Sequence, residues 1–283
     1  MHSMQLKGKT ISVPIRLVRT KRIRSHADYK RRIRPVIAGY SIGTKDASGT
    51  LGLIVARGNQ KYMLSNNHVL TNPTNTGTRA ETLQPGGADG GQPGRDRVGW
   101  MQRFVQLKSN QNNFIDAALS IPVRNSILSP RYATVGVVPG HVTSYRVGER
   151  FKKVGRTTGL VHGTVDSINT DVEVDYGRAG TFRFKNQTIV TGTSPVSNPG
   201  DSGSVWLRRA DNFAAAVNYA GSGDGKTSVS FPIDWAMKAF QVKVARPKAS
   251  GMVKAAARDS KRSYIRPLTA KELAAIRIIQ GKK

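Results

Sequence analysis

The chain contains no cysteine. Disulfide stapling, thiolate catalysis and cysteine-based zinc sites are therefore excluded, and the absence fits a reducing compartment. Acidic residues are scarce, 17 Asp and Glu against 45 Lys and Arg, which leaves a formal net charge of +28. Aromatic residues make up only 7%. The five histidines, His2, His26, His68, His141 and His162, are scattered without metal-ligand spacing, so neither a metal nor a cofactor is expected. No run approaches the ~20 apolar residues that a membrane-spanning helix needs. The opening Met1–His2–Ser3–Met4–Gln5–Leu6–Lys7 leads into charged residues instead of an apolar signal segment. Cytoplasmic residence without membrane contact is the resulting expectation.

What the sequence does hold is Asn198–Pro199–Gly200–Asp201–Ser202–Gly203–Ser204, a serine in a glycine-rich turn with an acid directly before it. Glycines on both sides let the backbone fold back so that the N–H groups of Gly200 and Ser202 converge beside the hydroxyl as an oxyanion hole. A serine is a weak nucleophile at neutral pH and needs a base with an orienting carboxylate. His68 follows the apolar run Tyr62–Met63–Leu64, and Asp116 stands where a loop passes into Ala117–Ala118–Leu119. Taken alone, the GDSG tetrapeptide reads as a turn, His68 as a packed or solvated ring and Asp116 as a loop carboxylate. Together they fall in the order His, Asp, Ser, at separations of 48 and 86 positions. Of the known triad orders this is the one used by the chymotrypsin barrels.

Gly200–Asp201–Ser202–Gly203–Ser204, Asn66–Asn67–His68–Val69–Leu70 and Gly155–Arg156–Thr157–Thr158–Gly159 with Gly163–Thr164 resemble the motifs of chymotrypsin-like serine peptidases, closest to the bacterial branch of alpha-lytic protease and the streptogrisins. The resemblance covers about residues 36–243. It departs at Ser204, where glycine is usual, at Asn67, where alanine is common, and at Tyr219, a position usually held by a serine whose polar contact to the carboxylate matching Asp116 the resemblance implies. The implied fold is all-β, with two six-stranded antiparallel Greek-key β-barrels, the active site between them and a short helix closing the second barrel. The resemblance also implies Val196 as the floor of the specificity pocket, Tyr219–Ala220–Gly221 as the strand that pairs with substrate, and a buried Arg156–Asp201 ion pair that holds the oxyanion loop. An apolar floor favours a small or apolar residue before the cut bond, with Asp224 as the acid able to reach the pocket from the far wall.

Short β-type runs separated by Pro, Gly, Asn and Asp agree with antiparallel barrels. The expected divisions are a basic N-terminal arm at 1–35, a peptidase domain at 36–245 with barrels at about 36–125 and 141–243, and a basic tail at 246–283. Helical spacing at Ile233, Met237 and Phe240 marks the closing helix. A capping-box pattern at Thr269–Glu272 opens a second helix running through Leu273, Ile276 and Ile279.

Residues 1–36 hold 11 Lys and Arg against one acid, and residues 246–283 hold 11 against two. Most of the net charge therefore sits at the ends, where it suits phosphate contacts with nucleic acid or another polyanion. The expected activity is hydrolysis of protein or peptide substrates through an acyl-enzyme, with His68, Asp116 and Ser202 as the triad. Two other classes stay open: a peptidase-fold protein that binds without cutting, and a basic nucleic-acid-binding or packaging protein.

Overall fold

Short apolar runs broken by turn residues build two sheets, each curling until its ends meet. The computed structural model describes residues 2–6, 9–13, 28–71, 79–247 and 264–281. In the first sheet the pairing runs from Leu53–Arg57 to Gln60–Ser65, Ala118–Pro122, Arg97–Val105, Glu81–Leu83, Ser41–Gly43 and Ser48–Thr50, every pair antiparallel. Only Leu51 and Gly52 separate Ser48–Thr50 from Leu53–Arg57, so one bent segment supplies both ends of the path and closes the barrel. In the second sheet Arg150–Gly155, Gly159–Asp175, Thr181–Thr191, Thr227–Pro232, Ala214–Gly221 and Val205–Arg208 pair in turn. The last of these returns to the first, which gives a closed antiparallel barrel of six strands. The expected all-β, two-barrel architecture is the observed one.

One apolar core spans the junction, joining Leu53, Leu64, Phe104 and Leu119 of the first barrel to Val154, Val205, Val217 and Phe231 of the second. The connection between barrels is more ordered than its prolines suggest. Leu128–Tyr132 lies parallel to Val36–Ala38. The Tyr132 hydroxyl accepts the Val154 N–H and donates to the Val205 carbonyl, both at 2.8 Å. The helix Ile233–Phe240 buries Ile233, Met237 and Phe240 as its spacing predicts.

In the second barrel, sequence runs that read as separate strands merge. Gly159–Asp175 and Thr181–Thr191 form one long hairpin, bent where the register shifts. Asn169 and Asn186 stand at those bends with φ of 55° and 59°. Asparagine tolerates this left-handed conformation, so bulges in sequence look like turns.

Both ends of the chain depart from simple appendages. His2–Leu6 and Lys9–Val13 pair as an antiparallel hairpin. The basic cluster at 21–24 and the stretch 248–263 lie outside the described residues. By Tyr29 the chain is already packed, with that ring buried edge-on against Tyr40. Arg34 donates to the side chain and carbonyl of Gln84. At the other end the capping box forms and opens the helix Ala270–Ala275, but the helix stops there. Ile278–Gln280 is a strand paired with Val105, Phe104 and Arg103, contrary to the expected helical run through Ile276 and Ile279. Six residues make a marginal helix, β-branched isoleucines favour extended backbone, and the edge of Arg97–Val105 left open beyond Glu81–Leu83 offers unpaired groups.

Ile265, on the same segment, is buried in the second-barrel core with Tyr145 and Trp206. Ile265→Ala should therefore cost about 2–5 kcal/mol, as large-to-small core changes do. Thermal denaturation checks it: an unchanged melting temperature would mean that the segment is a loose tail. Nearby, the Arg266 guanidinium and the Thr269 N–H and hydroxyl hold the Glu272 carboxyl down, from the ordinary 4.5 to about 2. A carboxyl depressed by folding stabilises fully above pH 4.5, and that contribution fades as pH falls toward 2. Melting temperature should fall more steeply with acid across this window in the unmodified chain than in Glu272→Gln.

Candidate active site

The bases of the site come from the first barrel. The strand Gln60–Ser65 ends in the single helical turn Asn67–Leu70, which carries His68 at the edge of the inter-barrel cleft. Asp116 precedes Ala118–Pro122, the strand that pairs with Gln60–Ser65, so the two loops emerge side by side. His68 Nδ1 lies 2.5 Å from Asp116 Oδ2. The carboxylate has no solvent exposure and is met from two more directions: the Asn67 N–H donates to Oδ1 at 2.6 Å and the Tyr176 hydroxyl to Oδ2 at 2.7 Å. Asn66 adds a 2.6 Å bond from its amide to the Asp116 carbonyl, and Asn67 a 2.8 Å bond to the Val105 carbonyl. The asparagine that replaces the family's common alanine thus ties the histidine turn to a neighbouring strand.

The loop that bears Ser202 comes from the second barrel and is stitched to the first by Thr50. The Thr50 N–H donates to the Ser202 carbonyl at 2.7 Å, and its hydroxyl donates to the Gly200 carbonyl at 3.0 Å. Gly49 shows how near the two halves stand: an added Cβ would come within 2.4 Å of Val69 Cγ2 and 2.8 Å of the Ser202 carbonyl. Gly203, at φ 91°, leaves even less room, since a Cβ there would lie 2.1 Å from Ser65 Oγ. Ser204 is accommodated because its buried hydroxyl donates to the Asp201 carbonyl at 2.6 Å. The N–H groups of Gly200 and Ser202 donate to no protein acceptor among the described residues, as a site for an oxyanion requires. The Ser202 hydroxyl donates to the Tyr219 carbonyl at 3.4 Å, and no hydrogen bond joins it to His68.

The expected Arg156–Asp201 pair is not formed. Arg156 turns away and grips Asp89, with Nη2 at 2.5 Å and Nε at 2.7 Å. Asp201 is instead met by the fully buried Lys153, whose Nζ is 3.6 Å from Oδ2 and 5.3 Å above the Trp206 ring. The N–H groups of Thr157 and Thr158 donate to Asp201 Oδ1 and that of Asn198 to Oδ2. The reason lies in strand geometry. Phe151 and Lys153 alternate onto the inner face of Arg150–Gly155 and are both buried, whereas Arg156 follows the end of that strand. Burial pulls the Lys153 ammonium below its ordinary range, and the Asp201 charge works against that pull.

Val196 is likewise not a pocket floor, since it packs inside the second barrel with Val165, Val190 and Trp206. The neighbouring Ser197 lies against the stretch Tyr219–Gly221 instead. Its hydroxyl donates to Asn218 Oδ1 at 3.0 Å and to the Ala220 carbonyl at 3.4 Å, while Ser228 donates to the same Asn218 oxygen at 2.6 Å. Gly221 is so close that an added Cβ would be 2.8 Å from Ser197 Oγ. Asp224 is solvent-exposed and folded into its own turn, where it bonds Ser222 and the Lys226 N–H. Tyr219, Ala220 and Gly221 line a cleft of about 1040 Å³ together with His68, Val174 and Tyr176. One edge of this stretch pairs with Val229 and Ser228, and among the described residues no strand covers the other.

Sequence reasoning missed Lys153 and Tyr176. Lysine at an inward position of an alternating strand was a readable signal. Tyr176 lies at the tip of a hairpin whose length was hidden by its bulges, and only the missing serine at position 219 hinted that another donor was needed.

Lys153→Met leaves the Asp201 charge buried without its counter-ion, which typically costs about 3–5 kcal/mol. Arg156→Ala keeps every Asp201 partner in place and should leave the loop's hydrogen bonds intact. Because Arg156→Ala also leaves the buried Asp89 side chain without its guanidinium, chemical denaturation of each variant is repeated in an Asp201→Asn background. The Lys153→Met loss should shrink there and the Arg156→Ala loss should not, and the reverse result would restore Arg156 as the anchor.

No family profile and no curated protein matches the chain by sequence. Solved structures do match by shape. A glutamic-acid-specific serine protease is similar at TM-score 0.54 and 22% identity, over 74% of this chain and 100% of its own. Protease A of Thermobifida fusca aligns at 0.53 and 22%, over 75% and 98%. An alpha-lytic protease homolog, N4, aligns at 0.53 and 18%, over 74% and 99%. In fold the chain is chymotrypsin-like, the same two-barrel architecture as these bacterial serine proteases.

Proposed function

We propose that the chain is a serine endopeptidase that works through an acyl-enzyme. The observation that carries this reading is the His68–Asp116 pair, buried on its carboxylate side with His68 lining the cleft, on the same barrel whose Thr50 ties down the Gly200–Gly203 turn that bears Ser202. With Nδ1–H donated to Asp116, the imidazole keeps Nε2 as the base. Nε2 takes the Ser202 proton as the hydroxyl oxygen attacks the scissile carbonyl. The N–H groups of Gly200 and Ser202 receive the oxyanion, and His68 returns the proton to the leaving amine. Water repeats the sequence to release the acyl group. For attack, Ser202 Oγ turns from the Tyr219 carbonyl toward the ring; such bonds commonly tighten only in the substrate complex.

The substrate backbone adds to the uncovered edge of Tyr219–Gly221 as an antiparallel strand. The contact between Gly221 and Ser197 narrows the space for the side chain before the cut bond, and the group that makes it, the Ser197 hydroxyl, is neutral. A small uncharged residue fits there, since Lys or Arg would lose hydration without a counter-charge.

A second reading, a binder that does not cut, draws on the absence of a Ser202–His68 hydrogen bond. Fluorophosphonate labelling separates the two. Under the peptidase reading the unmodified chain is labelled at Ser202, Ser202→Ala is not, and Asp116→Asn reacts roughly 10⁴-fold more slowly. Incubation with a denatured protein mixture should yield cuts after small residues. Efficient cutting after Lys or Arg would contradict the pocket assignment.

A further inference from the structure

We infer that Tyr176 is a positioning residue of the active site, its hydroxyl supplying the contact to Asp116 that position 219 lacks. This rests on the acyl-transfer reading of the same site. The Asp116 carboxylate is wholly buried, and each of its oxygens must be satisfied. Oδ1 takes the Asn67 N–H at 2.6 Å. Oδ2 takes His68 Nδ1–H at 2.5 Å and the Tyr176 hydroxyl at 2.7 Å. The donor that touches the histidine-bearing oxygen therefore comes from the second barrel, at the far end of the long hairpin.

Tyr219 occupies the position where the resembled family places a serine, and its own hydroxyl is buried without a hydrogen-bond partner among the described residues. It cannot serve Asp116 in the serine's stead. Tyr176 reaches the carboxylate by another route. Its ring stands edge-on to His68, with centroids 5.4 Å apart, and rests against Phe182 at 5.3 Å and Phe184 at 6.3 Å. Phe184 in turn packs on Tyr219 at 4.7 Å, and Tyr219 on Phe231 at 6.0 Å. This row of rings fixes the hydroxyl's direction from the barrel core outward. Burial, and after it the Asp116 charge, pushes the Tyr176 phenol well above 10, so it stays protonated and can only donate to the carboxylate.

The geometry gives Tyr176 two effects. It shares the charge on Oδ2, and it limits the rotation of the carboxylate that orients the imidazole. The same hairpin also lines the substrate cleft through Val172, Val174 and Ala179. Whatever fills the cleft touches the element that holds Asp116.

Tyr176→Phe removes one oxygen and keeps the ring contacts. The full chain and this variant are compared in two readouts: fluorophosphonate labelling of Ser202, resolved into maximal rate and half-saturating concentration, and the low-field proton resonance of His68 Nδ1–H. The maximal rate should fall about tenfold to a hundredfold, the range for a hydrogen bond to a charged group, with half-saturation unchanged. The resonance should be displaced. In the unmodified chain that proton should also show a through-space cross-peak to the Tyr176 ring, and its absence overturns the inference without any variant. An unmoved resonance in the variant overturns it too, as does an unchanged maximal rate where the unmodified chain is labelled. A chain that is never labelled but whose resonance moves in Tyr176→Phe refutes the acyl-transfer reading and retains the positioning role.

Discussion

A carboxylate without solvent, at the junction of two barrels, is the constraint that the rest of the site answers to. Asp116 can remain charged there only if donors converge on it from every side, because an unpaired buried charge costs several kcal/mol. Those donors come from separate stretches of chain: a helical turn after one strand, and a hairpin tip of the other barrel. Neither barrel alone completes the set. The electrostatic need of one residue thus favours the relative placement of the two halves, in addition to the apolar core they share.

Asp201 repeats the theme on the nucleophile side. It too is wholly buried, and it draws in one ammonium and three backbone N–H groups. The loop containing Gly200 and Ser202 is wrapped around this second anchor. Lys153 supplies the balancing charge from within a strand already held on both sides, by Gly159–Asp175 and Val205–Arg208. The loop's shape therefore follows from the barrel's own hydrogen bonding.

The barrel strands and the closing helix were readable because they depend on local signals, alternation and turn residues, and short motifs in a set order marked His68, Asp116 and Ser202 as the candidates. Side-chain partners were less so. Arg156 and Lys153 are three residues apart, and only the strand's alternation, which turns Lys153 inward, distinguishes which one meets Asp201. Val196 and Ser197 differ by one position, yet the first packs in the barrel core and the second bonds Asn218 and Ala220. Tyr176 lies beyond two asparagine bends that mimic turns, and the hairpin carrying it becomes one element only through pairing across its length. Such features arise from tertiary contacts that a linear pattern does not record.

The first barrel also borrows from the far end of the chain. Lys243–Val244 covers one edge of its sheet at Ala56 and Val55, and Ile278–Gln280 covers the stretch of Arg97–Val105 that Glu81–Leu83 leaves bare. Domains tend to fold in the order in which the ribosome delivers them. This barrel departs from that order, since its early strands keep exposed edges until residues 243–244 and 278–280 arrive, and such edges are where another copy's strand can pair in the meantime.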